Sequence, residues 1–397
     1  MPRVSVETVR RLLAARGFDP GAGDDELLDA ARAERHKLGA TLLSLWERDG
    51  RALTPAQRAG LAAHRERLEL YRATWQGLTE VAPAAFVLKG ASIAAHYPAG
   101  VLRSAGDLDV VCASPDELWA AAAFLLGGGW RVAAFTVLAA RPGDTVIGQL
   151  GPDGTPPCHV LVEITRPGPD PAGEELAVGL TTAEIVTVTS RPPYQLARPP
   201  IPPPAANLVA LAAELWERDY RSRDLLDLAL LVEQLTPESL DALRDGLNRT
   251  GLWPEWQTLT DAVAALGWPL PVVLPEAPAA ARRERVARRV RAAARWSHPV
   301  RALAYAAQSG VERESALADR ASDLLHERIG AYRALALGLP LFGVPLAGGA
   351  GANGSASGLE FVRTGRSLVA LTPAGSYLLA AGACRQEWID SAVDGIR

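Results

Sequence analysis

Lysine is almost missing from this chain. Of 41 basic residues only two, Lys37 and Lys89, are lysines, so arginine fills nearly every generic cationic position. A lysine kept against that background hints at a site where a compact ammonium suits better than a planar guanidinium. Cysteine is scarce as well. Cys112, Cys158 and Cys384 are too few and too scattered for a disulfide framework or a zinc site. Cys112 falls in an apolar stretch and is assigned to the core. No run of 18 apolar residues free of charge occurs, which leaves no transmembrane-helix candidate. The first residues, Met1-Pro2-Arg3-Val4, lack a signal-peptide core, so a cytoplasmic protein with no membrane partner is expected. There is no basic excess either. The formal charge of −4 argues against gripping nucleic acid through the overall field. P-loop, dinucleotide-fingerprint and zinc-protease motifs are absent.

What is present is apolar content of 48% in 397 residues, enough for a sizeable core and for two or three domains, or one large domain with helical additions. Residues 1–82 carry helical periodicity: Val6, Val9, Leu12 and Leu13, then Leu27, Leu28 and Ala31, then Leu42, Leu43, Leu45 and Trp46. Thr54-Pro55-Ala56-Gln57 marks a helix start, with Thr54 as N-cap and Pro55 at the first helical position. His36 and His64 lie in this region and are read as structural. Between 83 and 200 the period changes. Ala84–Leu88 reads as a buried strand and Ala91–Tyr97 as a short helix. Asp107–Ala113 is a second strand, followed by a helix over Pro115–Leu126 capped by Ser114. Further strands are expected at Trp130–Val137, Thr145–Leu150 and His159–Thr165. A proline-rich connector over Ser190–Pro204 leads to a C-terminal helical domain, 201–340. His298 and His326 fall there as structural or exposed residues. Residues 341–397 read as a flexible loop, a hairpin around Thr364-Gly365 and a helix from Pro373.

The chemistry concentrates in two stretches, Phe86-Val-Leu-Lys89-Gly90-Ala91-Ser92 and Arg103-Ser-Ala-Gly106-Asp107-Leu-Asp109-Val-Val. Strand alternation puts Asp107 and Asp109 on one face, about 6–7 Å apart. Paired carboxylates there can hold magnesium, which prefers hard oxygens and substrate phosphates. Glu163, a lone acid inside the apolar strand Val160-Leu-Val-Glu-Ile164, is the candidate third ligand, since burial without a partner would be costly. Gly90 allows close approach of backbone to phosphate, Ser92 offers a hydroxyl, and Arg103 can clamp phosphate oxygens. Two metal ions, magnesium with manganese as the substitute, would activate an attacking hydroxyl and neutralise a leaving pyrophosphate. A second cluster runs through Arg221, Arg223, Asp224 and Asp227, with Arg223 and Asp227 on one helix face. Its alternative is a surface ion-pair network. Arg282–Arg295 carries seven arginines in fourteen residues, a solvated helix face or a surface for RNA.

On these residues the chain resembles the DNA polymerase β-like nucleotidyltransferases, whose signature is a glycine turn, a helix and a strand bearing Asp-x-Asp or Asp-x-Glu. More narrowly it is similar to a bacterial group of uncharacterised nucleotidyltransferases, through Leu88-Lys89-Gly90, Arg103 and Gly106-Asp107-Leu108-Asp109. The resemblance covers roughly residues 25–240. It implies an α+β fold, a polymerase β-like core with a mixed sheet flanked by N- and C-terminal helical regions. The implied activity transfers a nucleoside monophosphate from a triphosphate, ATP by default, to a hydroxyl, phosphate or carboxylate of a small molecule, peptide or protein, as in natural-product biosynthesis. The Arg221-Ser-Arg223-Asp224-Leu-Leu-Asp227 stretch resembles one in nucleotidyltransferase toxins of abortive-infection systems, which implies that Arg221 or Arg223 holds the triphosphate and opens tRNA modification as an alternative. The chain departs from the pattern in Gly90-Ala91-Ser92 and in Glu163-Ile164-Thr165, where the relatives carry Gly-Gly or Gly-Ser and an aspartate. A degenerate nucleotide- or partner-binding protein is the alternative those departures leave.

Overall fold

The computed structural model describes residues 4–139, 158–169, 175–182, 184–186, 194–196, 203–216, 218–268, 274–276, 278, 303, 307, 316–337, 339–346 and 358–396. The expected strand over 145–150, the arginine-rich segment 282–295, His298, most of the 190–204 connector and the loop over 347–357 lie outside them.

The chain opens with α1 (Val6–Ala14), α2 (Asp24–Arg32), α3 (Gly39–Arg48) and the long α4 (Pro55–Val81). The first three bury the apolar stripe that their periodicity predicts: Val9, Leu12 and Leu13; Leu27, Leu28 and Ala31; Leu42, Leu43, Leu45 and Trp46. The expected start of α4 is present as a reciprocal cap. Thr54 Oγ1 accepts from the Gln57 N–H at 3.2 Å, and Gln57 Oε1 accepts from the Thr54 N–H at 3.0 Å.

Next come β1 (Phe86–Leu88), α5 (Gly90–Ala94), β2 (Asp107–Val111), α6 (Pro115–Gly127), β3 (Arg131–Ala139), β4 (Cys158–Pro167) and β5 (Glu175–Thr181). A small hairpin, β6 (Glu184–Val186) and β7 (Tyr194–Leu196), stands apart from the main sheet. Helices α7 (Pro203–Ala213), α8 (Ser222–Val232), α9 (Pro237–Thr250), α10 (Trp253–Ala264), α11 (Ala316–Leu324) and α12 (Ala331–Ala336) follow. The described chain closes with β8 (Leu341–Pro345), β9 (Glu360–Thr364), β10 (Ser367–Thr372), β11 (Gly375–Ala380) and α13 (Gln386–Ile396).

The fold is a mixed α+β architecture around one nine-stranded sheet among the described residues, in the order β1-β2-β5-β4-β3-β8-β11-β10-β9. All neighbouring pairs are antiparallel except β2 and β5, which run parallel. The last segment is therefore not an appendage: its strands supply four of the nine. The helix expected from Pro373 is instead strand β11, and α13 begins only at Gln386. Packing decides this. Tyr377 and Leu379 face the main sheet core, while Leu378 faces the opposite layer with Val369, Trp388 and Ala392, so the period must be two.

Among the described residues α1–α3 pack against α7–α10, while α11 and α12 pack on the sheet. Leu12, Leu27, Leu42 and Trp46 share a single hydrophobic core with Leu208, Leu226, Leu231 and Trp256. The sheet's own core joins Leu78, Leu108, Val110, Cys112, Leu125, Val162 and Val178 to Leu341 and Leu379. The cleft described next lies where the helical body meets one end of the sheet.

Candidate active site

Asp107 and Asp109 sit on one face of β2, while Leu108 and Val110 enter the core as alternation requires. Register carries that face across the sheet. Asp109 lies opposite Gly179 on β5, and Gly179 lies opposite Glu163 on β4. Gly179 keeps the row open, because a Cβ there would stand 3.4 Å from Asp109 Oδ1. Two interstrand steps put the backbones of Asp109 and Glu163 about 10 Å apart. Glu163 is not the buried acid expected from its apolar strand: its side chain is exposed, and partial desolvation, with smaller contributions from Asp107 and Glu175, raises its pKa. Among the described residues no three His, Cys, Asp or Glu side chains come close enough to share a metal ion. The expected three-acid ligand set is thus not assembled: Asp107 and Asp109 form a pair, with Glu163 on the same face beyond them.

A different acid joins Asp109. Lys89 Nζ lies 2.8 Å from Glu214 Oε1, at the C-terminal end of α7, and 3.5 Å from Asp109 Oδ2. Burial pushes the Asp109 pKa up to about 6 against the pull of Lys89, with Asp107 and Glu214 adding to the rise. Lys89 itself is fixed through its backbone. Its N–H donates to Asn207 Oδ1 at 2.7 Å, and Asn207 Nδ2 donates to Ser92 Oγ at 2.8 Å. The predicted Ser92 hydroxyl is therefore engaged with Asn207. Gly90 has φ 22°, a conformation that favours glycine, and a Cβ there would crowd the Asp107 carbonyl at 3.3 Å.

Arg103 and Asp227 correct the expectation of a phosphate clamp. Arg103 donates from Nε at 3.0 Å to both Asp227 oxygens and from Nη2 at 2.7 Å, and the two side chains are 3% and 0% exposed. Tyr97 donates to Asp227 Oδ1 at 2.8 Å. Burial disfavours the Arg103 cation, yet the Asp227 carboxylate more than offsets this and holds it charged. The pair ties α8 to the segment between α5 and β2, a bracing role beneath the cleft floor.

The cleft has a volume of about 390 Å³ and is lined by six cations, Lys37, Lys89, Arg103, Arg218, Arg221 and Arg223, against Asp107, Asp109, Glu214 and Asp224. Arg218 bridges Glu214 at 2.7 Å and Asp224 at 2.6 Å. Burial works to raise the Asp224 pKa, but Arg218 above all keeps it below the usual range. Arg223 Nη1 donates to the Ser104 carbonyl at 2.7 Å, and Arg221 pairs with Glu34. Both arginines named from the sequence thus reach the cleft.

Lys37 arrives from the N-terminal region because residues 33–38 dock on the start of α8. The Ser222 and Arg223 N–H groups donate to the Arg35 and His36 carbonyls at 3.2 and 3.1 Å. His36, fully buried, bonds Ser222 Oγ through Nδ1 at 2.7 Å and accepts from Arg35 Nε at 3.0 Å. Burial lowers its pKa to about 4, with help from Arg35 and Arg16. The folded pKa lies below the unfolded value of about 6.5, so the unfolded chain binds the proton first and stability is lost as pH falls from 6.5 toward 4. The loss attributable to His36 is on the order of 3 kcal/mol. Urea denaturation of wild type and His36→Gln at pH 7 and pH 4 should show their stability gap shrinking by that amount. A constant gap would contradict a neutral, buried His36.

Four contributors escaped sequence reasoning as site residues. Asn207 sits in the apolar run of α7 and Glu214 in the turn that directly follows it, where a polar residue beside Leu208, Val209 and Leu211 was a usable signal. Arg218 carried none beyond its neighbours, and Lys37 was marked only by the rarity of lysine. No protein-family model matches the chain, and neither a curated protein nor a solved structure matches it.

Proposed function

We propose that the protein is a metal-dependent nucleotidyltransferase that moves a nucleoside monophosphate from a nucleoside triphosphate to an acceptor oxygen, releasing pyrophosphate. The observation that carries this reading is the Asp107–Asp109 pair on the floor of a cleft whose charged lining holds more cations than acids. Magnesium suits such a donor set, since it binds through one or two protein carboxylates and completes its shell with water and substrate phosphates. Asp107 and Asp109 would hold it. When bound, the ion supplies charge neutralisation at the phosphates and acidifies the attacking hydroxyl. The side chains do the rest by position. Lys89, Arg218, Arg221 and Arg223 orient the phosphate chain. The acceptor oxygen bonds to the α-phosphorus while the bond to the β-phosphate oxygen breaks, and pyrophosphate leaves. ATP is the first donor to test, and a small molecule or a peptide or protein side chain the first acceptor class.

A second reading, nucleotide binding without transfer, draws on the distance of Glu163 from the aspartate pair. One experiment separates the two. Purified protein is incubated with magnesium and each of the four nucleoside triphosphates, following binding and pyrophosphate release beside the Asp107→Ala/Asp109→Ala variant. Release that the variant loses supports transfer. Magnesium-dependent binding without release, across candidate acceptors, favours the second reading. Failure of folded protein to bind any triphosphate would sink both.

A further inference from the structure

The two lysines of this chain share an uncommon backbone state. Lys37 (φ 51°) and Lys89 (φ 52°) are the only non-glycine residues with positive φ among those described, and both line the cleft. Such conformations strain an L-residue and persist where the surroundings fix them. The two ammonium groups stand at opposite ends of the carboxylate floor. At the Asp109 end, Lys89 is held between two carboxylates, Asp109 and Glu214. At the Asp107 end the balance is reversed. Lys37 Nζ lies 4.0 Å from where a Cβ would project from Gly106, and it pairs at 3.4 Å with Glu34. Arg221 pairs with the same carboxylate, whose side chain is 70% exposed. Arg223 is 8% exposed, and its Nε is buried without a hydrogen-bond partner, 3.9 Å from Asp224 and Asp227 oxygens. Three cations thus converge at this end, where Lys37 and Arg221 share the solvent-facing Glu34 while Asp224, buried, lies against Arg223 and accepts from the Arg221 N–H. Burial lowers the Lys37 pKa, and Arg223 adds to this, as expected for an ammonium crowded by like charge.

We propose that Lys37, Arg221 and Arg223 form the subsite for the terminal phosphates of the triphosphate, with Glu34 occupying it until phosphate arrives. This rests on the nucleotidyltransferase reading for the identity of the ligand, and it makes the N-terminal helical region part of the binding site. Phosphate oxygens would take the place of Glu34 between Lys37 and Arg221 and relieve the repulsion around Lys37.

The test is calorimetric titration of the full chain with inorganic tripolyphosphate. Lys37→Met should weaken binding about tenfold or more, the loss expected of a charge-assisted contact. Glu34→Gln should strengthen it severalfold by removing the competing carboxylate. Wild-type affinity in a Lys37→Met protein with an unchanged circular-dichroism spectrum, weaker binding in Glu34→Gln, or no binding by wild type would each overturn the subsite. If Lys37→Met does not fold, the Glu34→Gln result decides alone. Tripolyphosphate binding that depends on Lys37, without pyrophosphate release from any triphosphate, would retain the subsite and remove the transferase reading.

Discussion

Replacing Arg103 with Met is expected to destabilise the protein by about 3–5 kcal/mol, because it leaves the buried Asp227 carboxylate with only the more distant Arg223 as a countercharge. The magnitude follows from burial: Asp227 is fully enclosed, and of its hydrogen bonds only that from Tyr97 survives the change. A phosphate clamp would behave differently, leaving stability nearly intact and costing nucleotide affinity alone. Urea denaturation of Arg103→Met distinguishes the two, and a midpoint equal to wild type would rule out the bracing role. The double variant Arg103→Met/Asp227→Leu should recover much of the loss, since it removes both buried charges together.

Asp109→Asn is expected to move activity and stability in opposite directions. On the proposed transferase reading, turnover should fall about a thousandfold, as when a group acting on transition-state charge is removed. Stability of the ion-free protein should rise. The Asp109 pKa of about 6 lies above its unfolded value of about 3.8, so the folded state binds the proton more tightly. Stability therefore declines as pH rises from about 4 to about 6, and the full cost is present above that window. Asparagine abolishes the cost. Thermal unfolding in chelator should place the variant above wild type at pH 7, with the gap closing toward pH 4. Magnesium should then raise the wild-type midpoint and leave the variant where it was. A variant less stable than wild type at pH 7 would mean that the Lys89 contact outweighs the burial of Asp109.

Most local elements were legible because their determinants are local. Thr54 and Ser114 announce helix starts through their own backbone bonds, and Asp107-Leu-Asp109-Val-Val shows period two within five residues. What failed was tertiary. Strand β5 reads as Glu-Leu-Ala-Val-Gly-Leu-Thr, with Leu176, Val178 and Leu180 alternating inward, yet Ala177 and Gly179 make its outer face nearly blank. Its role, separating Asp109 from Glu163, depends on strand order, which no window of residues reveals. The same holds for Arg103 and Asp227. Residue types suited to phosphate and metal turned out to satisfy each other across 124 positions of chain. Glu214 was missed for the converse reason, since its partner Lys89 lies 125 positions away.

The docking of residues 33–38 on the start of α8 has a bearing on synthesis. His36 and Ser222 are 186 positions apart, and closing so long a span is entropically slow compared with forming local helix. On the ribosome, α1–α4 and the first strands emerge well before the helices that complete their shared core. Lys37 and the aspartate floor then face one another only after α8 has left the exit tunnel. The cleft is in this sense a late product of translation, and a nascent chain stopped within the sheet would carry Asp107 and Asp109 without the wall opposite them.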